Sequence, residues 1–326
     1  MTYSSRFFLY GPFALLLLLG AGAGVQWWRV TAALEARLEA MRSHEAMPGV
    51  TVRYGTLSVG GFPFNVDAVF GDLRVEVATP GGPIVWRAEH FASHALTYGR
   101  DGTIFEAAGR QSLSWGAGRR LDFQTGSLHA SAIRDAGGLA RFDLDLVAFG
   151  SRLCTASRLQ LHLRRKGAAL DVAASGDDVR LPRPGALGDH LKSVMLQGNV
   201  SMPRAFDGLR AGRADWQSAL EAWRVAHGSL HAAPLEIASD TLDLMGQGQV
   251  GLDGASRPAG LIDFKIAGVP AWLRRDPQGA FAAALRARAA AAGGNEAGKL
   301  GAVLGAQGGI VYLGDTPLGP IDGVLR

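Results

Sequence analysis

Hydrophobic and polar positions follow three different rhythms along the chain. From Phe7 to Trp28 there is no charged residue. As a helix those positions would span about 33 Å, the thickness of a bilayer's hydrocarbon core. Phe13 to Leu19 is the apolar centre, and Trp27-Trp28 mark one end, where indole rings favour the headgroup boundary. Val30, Leu34, Leu38 and Met41 then fall on one helical face, with Glu35, Arg37 and Glu39 off it. This predicts an amphipathic stalk over 29–47, stopped by Pro48-Gly49.

From Val50 the period becomes two. Val66, Ala68 and Phe70 alternate with Asp67 and Val69, and Leu73, Val75 and Val77 with Asp72, Arg74 and Glu76. The alternation returns in Phe142, Leu144 and Leu146, and again in Leu159, Leu161 and Leu163. Turn signals such as Gly71, Pro80-Gly81-Gly82-Pro83 and Lys166-Gly167 separate the runs. The pattern predicts an extended antiparallel sheet with one buried face. Leu230 to Ile266 reads as further strands, and Gly309 to Leu318 as a last one.

Helical patterns interrupt the strands over Gly185–Met195, Asp215–Val225 and Ala280–Ala292. The second carries Trp216, Leu220 and Trp223 on one face, and the third is alanine-rich and closed by Gly293-Gly294. The expected fold is mostly β with a few helices, α+β, in which an N-terminal transmembrane helix precedes a long antiparallel sheet covered by helices. The chain divides into a tip and membrane anchor (1–28), the stalk (29–47) and one β-rich extracytoplasmic domain (48–326), the last with two lobes meeting near 181–203.

The membrane segment has a rival reading. Ala21-Gly22-Ala23 has the small residues of a signal-peptide cleavage site, but the apolar stretch runs on to Trp28. On either reading the rest of the chain is exported. Arg6 on one side against Arg29, Arg37 and Arg42 on the other does not favour a cytoplasmic N-terminus. A six-residue tail before the apolar run is nevertheless laid out as a signal-anchor, with the bulk of the chain in the periplasm.

Composition narrows the function classes. The 326 residues carry a formal net charge of +4, with basic residues dispersed. No basic cluster interleaved with aromatics is visible, so nucleic acid is not an expected partner. The single cysteine, Cys154, excludes an intrachain disulfide, and a small buried hydrophobe is its expected role.

The run Tyr54-Gly55-Thr56-Leu57-Ser58-Val59-Gly60-Gly61-Phe62-Pro63-Phe64 has a physical reading of its own. Gly60-Gly61 permits a bulge or sharp turn, Pro63 belongs at an edge or kink, and Phe62 and Phe64 can staple that kink to the core. With Ser58 these residues form a structural motif. The run resembles the signature of a bacterial family named domain of unknown function 2125. Ala222 to Leu230, Gly246 to Asp253 and Tyr312-Leu313-Gly314 extend the resemblance over nearly the whole chain. It implies an envelope location in Gram-negative bacteria, and no activity. The family often has a glycine pair where this chain has His227-Gly228, which puts the geometry of that turn in question.

Candidate catalytic groupings are weak. Gly246, Gly248 and Gly251 spell a dinucleotide fingerprint, but they sit in a strand pattern without a βαβ unit. His90 and His94 have metal-ligand spacing without a third ligand, and Asp143 and Asp145 read as a strand's wet face. No nucleophile elbow is present. The expectations are therefore no enzyme, no cofactor and no metal. The first expected function is binding of lipid or another amphiphile by the apolar sheet face, beside the inner membrane. The alternatives are a scaffold or accessory subunit of an envelope complex, with Trp216 and Trp223 as partner or ligand contacts, and a hydrolase whose site comes from distant residues.

Overall fold

The structure, a computed structural model, describes residues 5–42, 44–63, 65–79, 82–96, 102–116, 118–167, 169–185, 187–275, 277–292 and 299–321. Helix α1 (Ser5–Ala40) runs unbroken from the apolar segment into the stalk. Its part from Pro12 to Ala40 is long and apolar enough to cross a membrane. Leu15 to Leu19 expose 58–75% of their surface, so the protein itself gives them no cover. Beyond the tryptophan pair, Leu34 and Leu38 pack against Ala68, Phe70 and Leu73. The helix ends at Ala40, ahead of Pro48-Gly49, because its last carbonyls find partners early. Tyr54 Oη donates to the Leu38 carbonyl (3.2 Å), and the His44 ring meets that of Ala40 (3.2 Å).

The strands are β1 (Val50–Arg53), β2 (Thr56–Gly60), β3 (Asn65–Val77), β4 (Ile84–Leu96), β5 (Gly102–Trp115), β6 (Arg119–Asp135), β7 (Gly138–Ser151) and β8 (Thr155–Lys166). They continue as β9 (Ala169–Gly185), β10 (Gly188–Val200), β11 (Ser229–Ser239), β12 (Asp243–Leu252), β13 (Pro258–Ala267), β14 (Lys299–Gln307), β15 (Ile310–Leu313) and β16 (Thr316–Pro320). All belong to one antiparallel sheet in which each strand from β3 onward pairs with the next. β1 and β2 lie end to end along the free edge of β3.

Residues directly opposite in an antiparallel pair share a face. One row can therefore be followed across twelve strands: Phe70, Phe91, Ala107, Leu128, Leu146, Leu159, Gly176, Val194, Ile237, Leu244, Ile266, Leu300. Every member is apolar or glycine. The adjacent row on the other face includes Glu106, His129, Asp145, Gln160, Ser175 and Glu236. The period-two pattern in the sequence is this division.

The sheet curls with its apolar face inward. Flat, β1 and β10 would lie about 40 Å apart at 4.8 Å per strand. Yet the segment after β10 reaches the chain before β1: a Cβ added at Gly49 would lie 3.3 Å from the Asp215 Cβ, and one at Gly212 would touch Met47. That segment holds a 3-10 turn (Pro203–Phe206), α2 (Asp207–Arg210) and α3 (Trp216–Val225). Between β13 and β14 stand α4 (Val269–Leu273) and α5 (Ala280–Ala291).

Two sequence expectations are corrected. Gly185–Met195 is not helical. It ends β9 and opens β10, where Val194 faces Gly176 and Leu196 faces Ala174. A helix there would leave β9 and β11 with unpaired edges. Gly309 to Leu318 is a hairpin rather than one strand, reversing at Gly314 (φ 59°). In the 181–203 segment, where two lobes were expected to meet, β10 pairs with β9 and β11 up to Val200, with register shifts at Gly188/His190, Leu191/Ser193 and Leu196/Gly198.

Candidate functional site

Helices α1, α4 and α5 cover the two ends of the inner face and α2 abuts the start of β7, so the cover does not run the whole length as the sequence suggested. At one end α1 seals Ala68, Phe70 and Leu73. At the other, α4 and α5 bury Leu242, Phe264, Ile266, Leu300 and Leu313 beneath Trp272 and Leu285. Between them lie β7 to β10, whose inner side chains include Phe142, Leu144, Leu146, Leu159, Leu161, Leu163, Val172, Ala174, Val194 and Leu196. Each is partly exposed and none is buried. Arg165, opposite Leu170 at one end of β8, is the charged residue that shares their face. The apolar side chains form a trough four strands wide, roughly 15–20 Å. A surface of this kind gains about 25 cal/mol per Å² from any apolar group that covers it.

The segment after β10 stands at one rim. Arg210, with a side chain only 10% exposed, donates to the Leu139 carbonyl (2.6 Å) and to Asp207 (2.9 Å). It thereby ties α2 to the β6–β7 turn. Phe206 lies against both Trp216 and Trp223. The structure separates these two tryptophans. Trp223 is buried and donates Nε1–H to the Ser201 carbonyl (2.8 Å), while Trp216 is 42% exposed. Of the pair, only Trp216 is presented to solvent.

Asp215 caps α3 by accepting from the Ser218 backbone N–H (2.6 Å), and this bond holds its carboxyl below the usual value. At the other end His227 has φ 55°, and Gly228 N–H reaches back to the Trp223 carbonyl. This left-handed closure is a position where glycine is favoured. Replacing His227 by glycine is expected to stabilise the protein by about 1 kcal/mol, read as a higher denaturant midpoint with unchanged slope. Gly228 is fixed by contact instead, since a Cβ there would lie 2.1 Å from Trp223 Nε1.

The Ser58–Phe64 motif forms the turn from β2 to β3. Ser58 and Gly60 pair with Val69 and Asp67, and Gly61 has φ 96° with no room for a Cβ beside the Asn65 carbonyl. Phe64 lies outside the described residues. Phe62 does not staple the kink to the core. It is 60% exposed, its ring edge-on to Trp27 of α1 at 5.4 Å, with Pro63 following it. Trp27 also donates Nε1–H to the Asn65 carbonyl (2.8 Å), so the motif braces the helix beside its apolar stretch.

The remaining candidates lie on the outer face, in turns or, for the glycine run, within β12. His94 meets Asp67 (2.9 Å), His162 meets Asp143 (2.7 Å), and Arg158 grips Asp145 (2.7 and 2.9 Å). Burial pushes the Asp143 carboxyl up, but hydrogen bonds from His162 and Arg141 outweigh it and hold it below the usual range. The Arg158 hydrogen bond does the same for Asp145. Among the described residues no three His, Cys, Asp or Glu converge on a metal-sized site. Gly246, Gly248 and Gly251 lie within β12, where Gly246 makes room for Phe264 and Gly248 for the Leu261 carbonyl. Cys154 is partly exposed in the β7–β8 turn rather than buried, and its carbonyl accepts from Ser151 Oγ.

The trough could be located in the sequence only as an alternation. Nothing in that alternation distinguishes the inner residues of β7–β10 from those the helices seal. A family model described as "Uncharacterized protein conserved in bacteria (DUF2125)" matches residues 27–322. No curated protein matches the chain.

Proposed function

The chain belongs to this family of uncharacterised bacterial proteins, and we propose that it is a non-enzymatic envelope protein that shelters the acyl chains of a membrane amphiphile in its trough. In this reading α1 anchors it in the inner membrane, and the sheet stands in the periplasm. The observation that carries the proposal is the unsealed apolar face of β7–β10. Monomeric proteins rarely leave so contiguous an apolar surface uncovered without a use for it. Its occupant is taken to be an acyl chain because the middle of the trough, Leu144, Leu146, Leu159, Leu161 and Ala174, offers dispersion and burial, with charged groups such as Arg165 confined to one end. The same face is sealed at one end by the helix that continues into the apolar span, which supports a place for the trough beside a bilayer.

The test is native mass spectrometry of protein produced in a Gram-negative envelope and cleaved at a protease site engineered between Trp28 and Arg29. This keeps Leu34 and Leu38 over the β3 core. A stoichiometric lipid adduct, identified by extraction, is the expected result. A folded sample with a clean apo mass would refute the proposal. Exposed Trp216 favours a second reading, a scaffold that docks another envelope protein. That reading predicts a specific cross-link from position 216 in cells.

A further inference from the structure

A second feature lies on the opposite, outer face of the sheet, remote from the trough's lining. Arg53 on β1, Arg74 on β3 and Arg87 on β4 are directly opposite one another in register. Their side chains therefore share one face, with Cβ atoms about 5 Å apart from strand to strand. Like charges placed this way repel and destabilise the pairing. The next residue in the row is Ser112 on β5, itself buried, followed by Asp122 on β6.

The row lines a cavity of about 990 Å³ that also takes in Arg110 and Arg120. Its carboxylates are Asp72, Glu89 and Asp122. Two of them are already committed: Glu89 to Arg110 (3.0 Å) and Asp122 to Arg120 (2.7 Å). Five arginines against three carboxylates leave the lining a net charge of +2 (5 − 3), with Asp72 the carboxylate not paired to Arg110 or Arg120. Arg74 reaches Glu76 through Nη2 (2.6 Å), but its buried Nε has no hydrogen-bond partner. Among the described residues neither Arg53 nor Arg87 makes a hydrogen bond or ion pair. A buried N–H without an acceptor and two unpaired guanidinium groups beside it call for an anion with several oxygens.

We propose that this cavity is an anion site for a phosphoryl group, held by the guanidinium groups of Arg53, Arg74 and Arg87. A phosphoryl dianion presents three acceptor oxygens, so it can accept from more than one planar guanidinium fork at once, and its charge offsets the repulsion within the row. A monocarboxylate would offset only one of the lining's two excess positive charges. The group could belong to a free phosphate compound or to a lipid head.

The test is a titration of the full-length protein in neutral detergent, at constant ionic strength held by chloride. One arm uses inorganic phosphate and the other a short-chain phosphatidic acid, with binding read by calorimetry. Saturable binding that the arginine variants Arg74→Gln and Arg87→Gln weaken supports the site, and the arm in which they weaken the tighter binding names the source; phosphatidic acid binding that they leave unchanged belongs to the trough and would count against the site. Arg74→Gln and Arg87→Gln are each expected to weaken that binding about tenfold or more. Arg164→Gln, on the outer face of β8 beyond the cavity, should leave it unchanged. Arg87→Gln should also unfold at the same or a higher temperature than the parent without phosphate, since it relieves repulsion. Failure of the folded parent to bind either probe would overturn the proposal, as would equal weakening by Arg164→Gln.

Discussion

Replacing Leu144 and Leu161 together by lysine is expected to abolish stoichiometric lipid retention while leaving the sheet folded. The two residues face each other across β7 and β8 on the inner face, in the middle of the trough. Both are partly exposed, so a lysine at either place can keep its ammonium in water by extending along the apolar surface. An acyl chain laid over them would strip that water, and desolvating an unpaired ammonium costs several kcal/mol. Affinity should fall by roughly a hundredfold or more, enough to lose the ligand during purification. The measurement is the native mass of the cleaved protein, with far-ultraviolet circular dichroism to confirm the fold. A lysine at Gln160, on the outer face of β8 and paired with Asp145 there, is the matched control and should retain the adduct. Loss of lipid in that control would mean that added charge anywhere on the sheet is responsible. Retention in the double variant would place the lipid somewhere other than the trough.

Truncating Leu285 to alanine is expected to destabilise the protein by about 3–5 kcal/mol. Leu285 lies on α5 with no exposed surface, in the cluster that contains Ile266, Trp272 and Leu300. Deleting its side chain forfeits burial and leaves a cavity. Collapse is hindered because Trp272 and Phe281 are already held edge-to-face at 5.8 Å. The measurement is equilibrium unfolding in urea at constant slope. A loss below about 1 kcal/mol would show that α5 is not firmly docked on β13 and β14. Lipid retention should survive in the fraction that stays folded, since α5 seals the opposite end of the inner face from α1. This separates the trough from its helical cover.

Local chemistry made much of the architecture legible in the sequence. The uncharged run ending in Trp27-Trp28 specifies a helix because a long apolar stretch has few alternatives. Alternation assigned the strands because each side chain must point to one face or the other, and the register rows confirm the division for Phe70, Leu144 and Leu161. Asp215 and the apolar face after it marked α3, because an N-cap and a 3.6-residue period are local signals.

Gly185–Met195 failed for the converse reason. Its residues tolerate a helix in isolation, and only the open edges of β9 and β11 make it a strand. The same limit applies to both sites. Whether Leu161 is sealed or left open depends on where distant helices land, and α1 and α5 cover other strands. That Arg53, Arg74 and Arg87 stand side by side depends on the registers of β1 against β3 and β3 against β4. The sequence by itself determined which residues face inward and which outward, because that is set by the backbone's period of two. Only the tertiary structure decided which inward residues stay uncovered and which outward charges meet, because both are set by contacts between segments far apart in the chain.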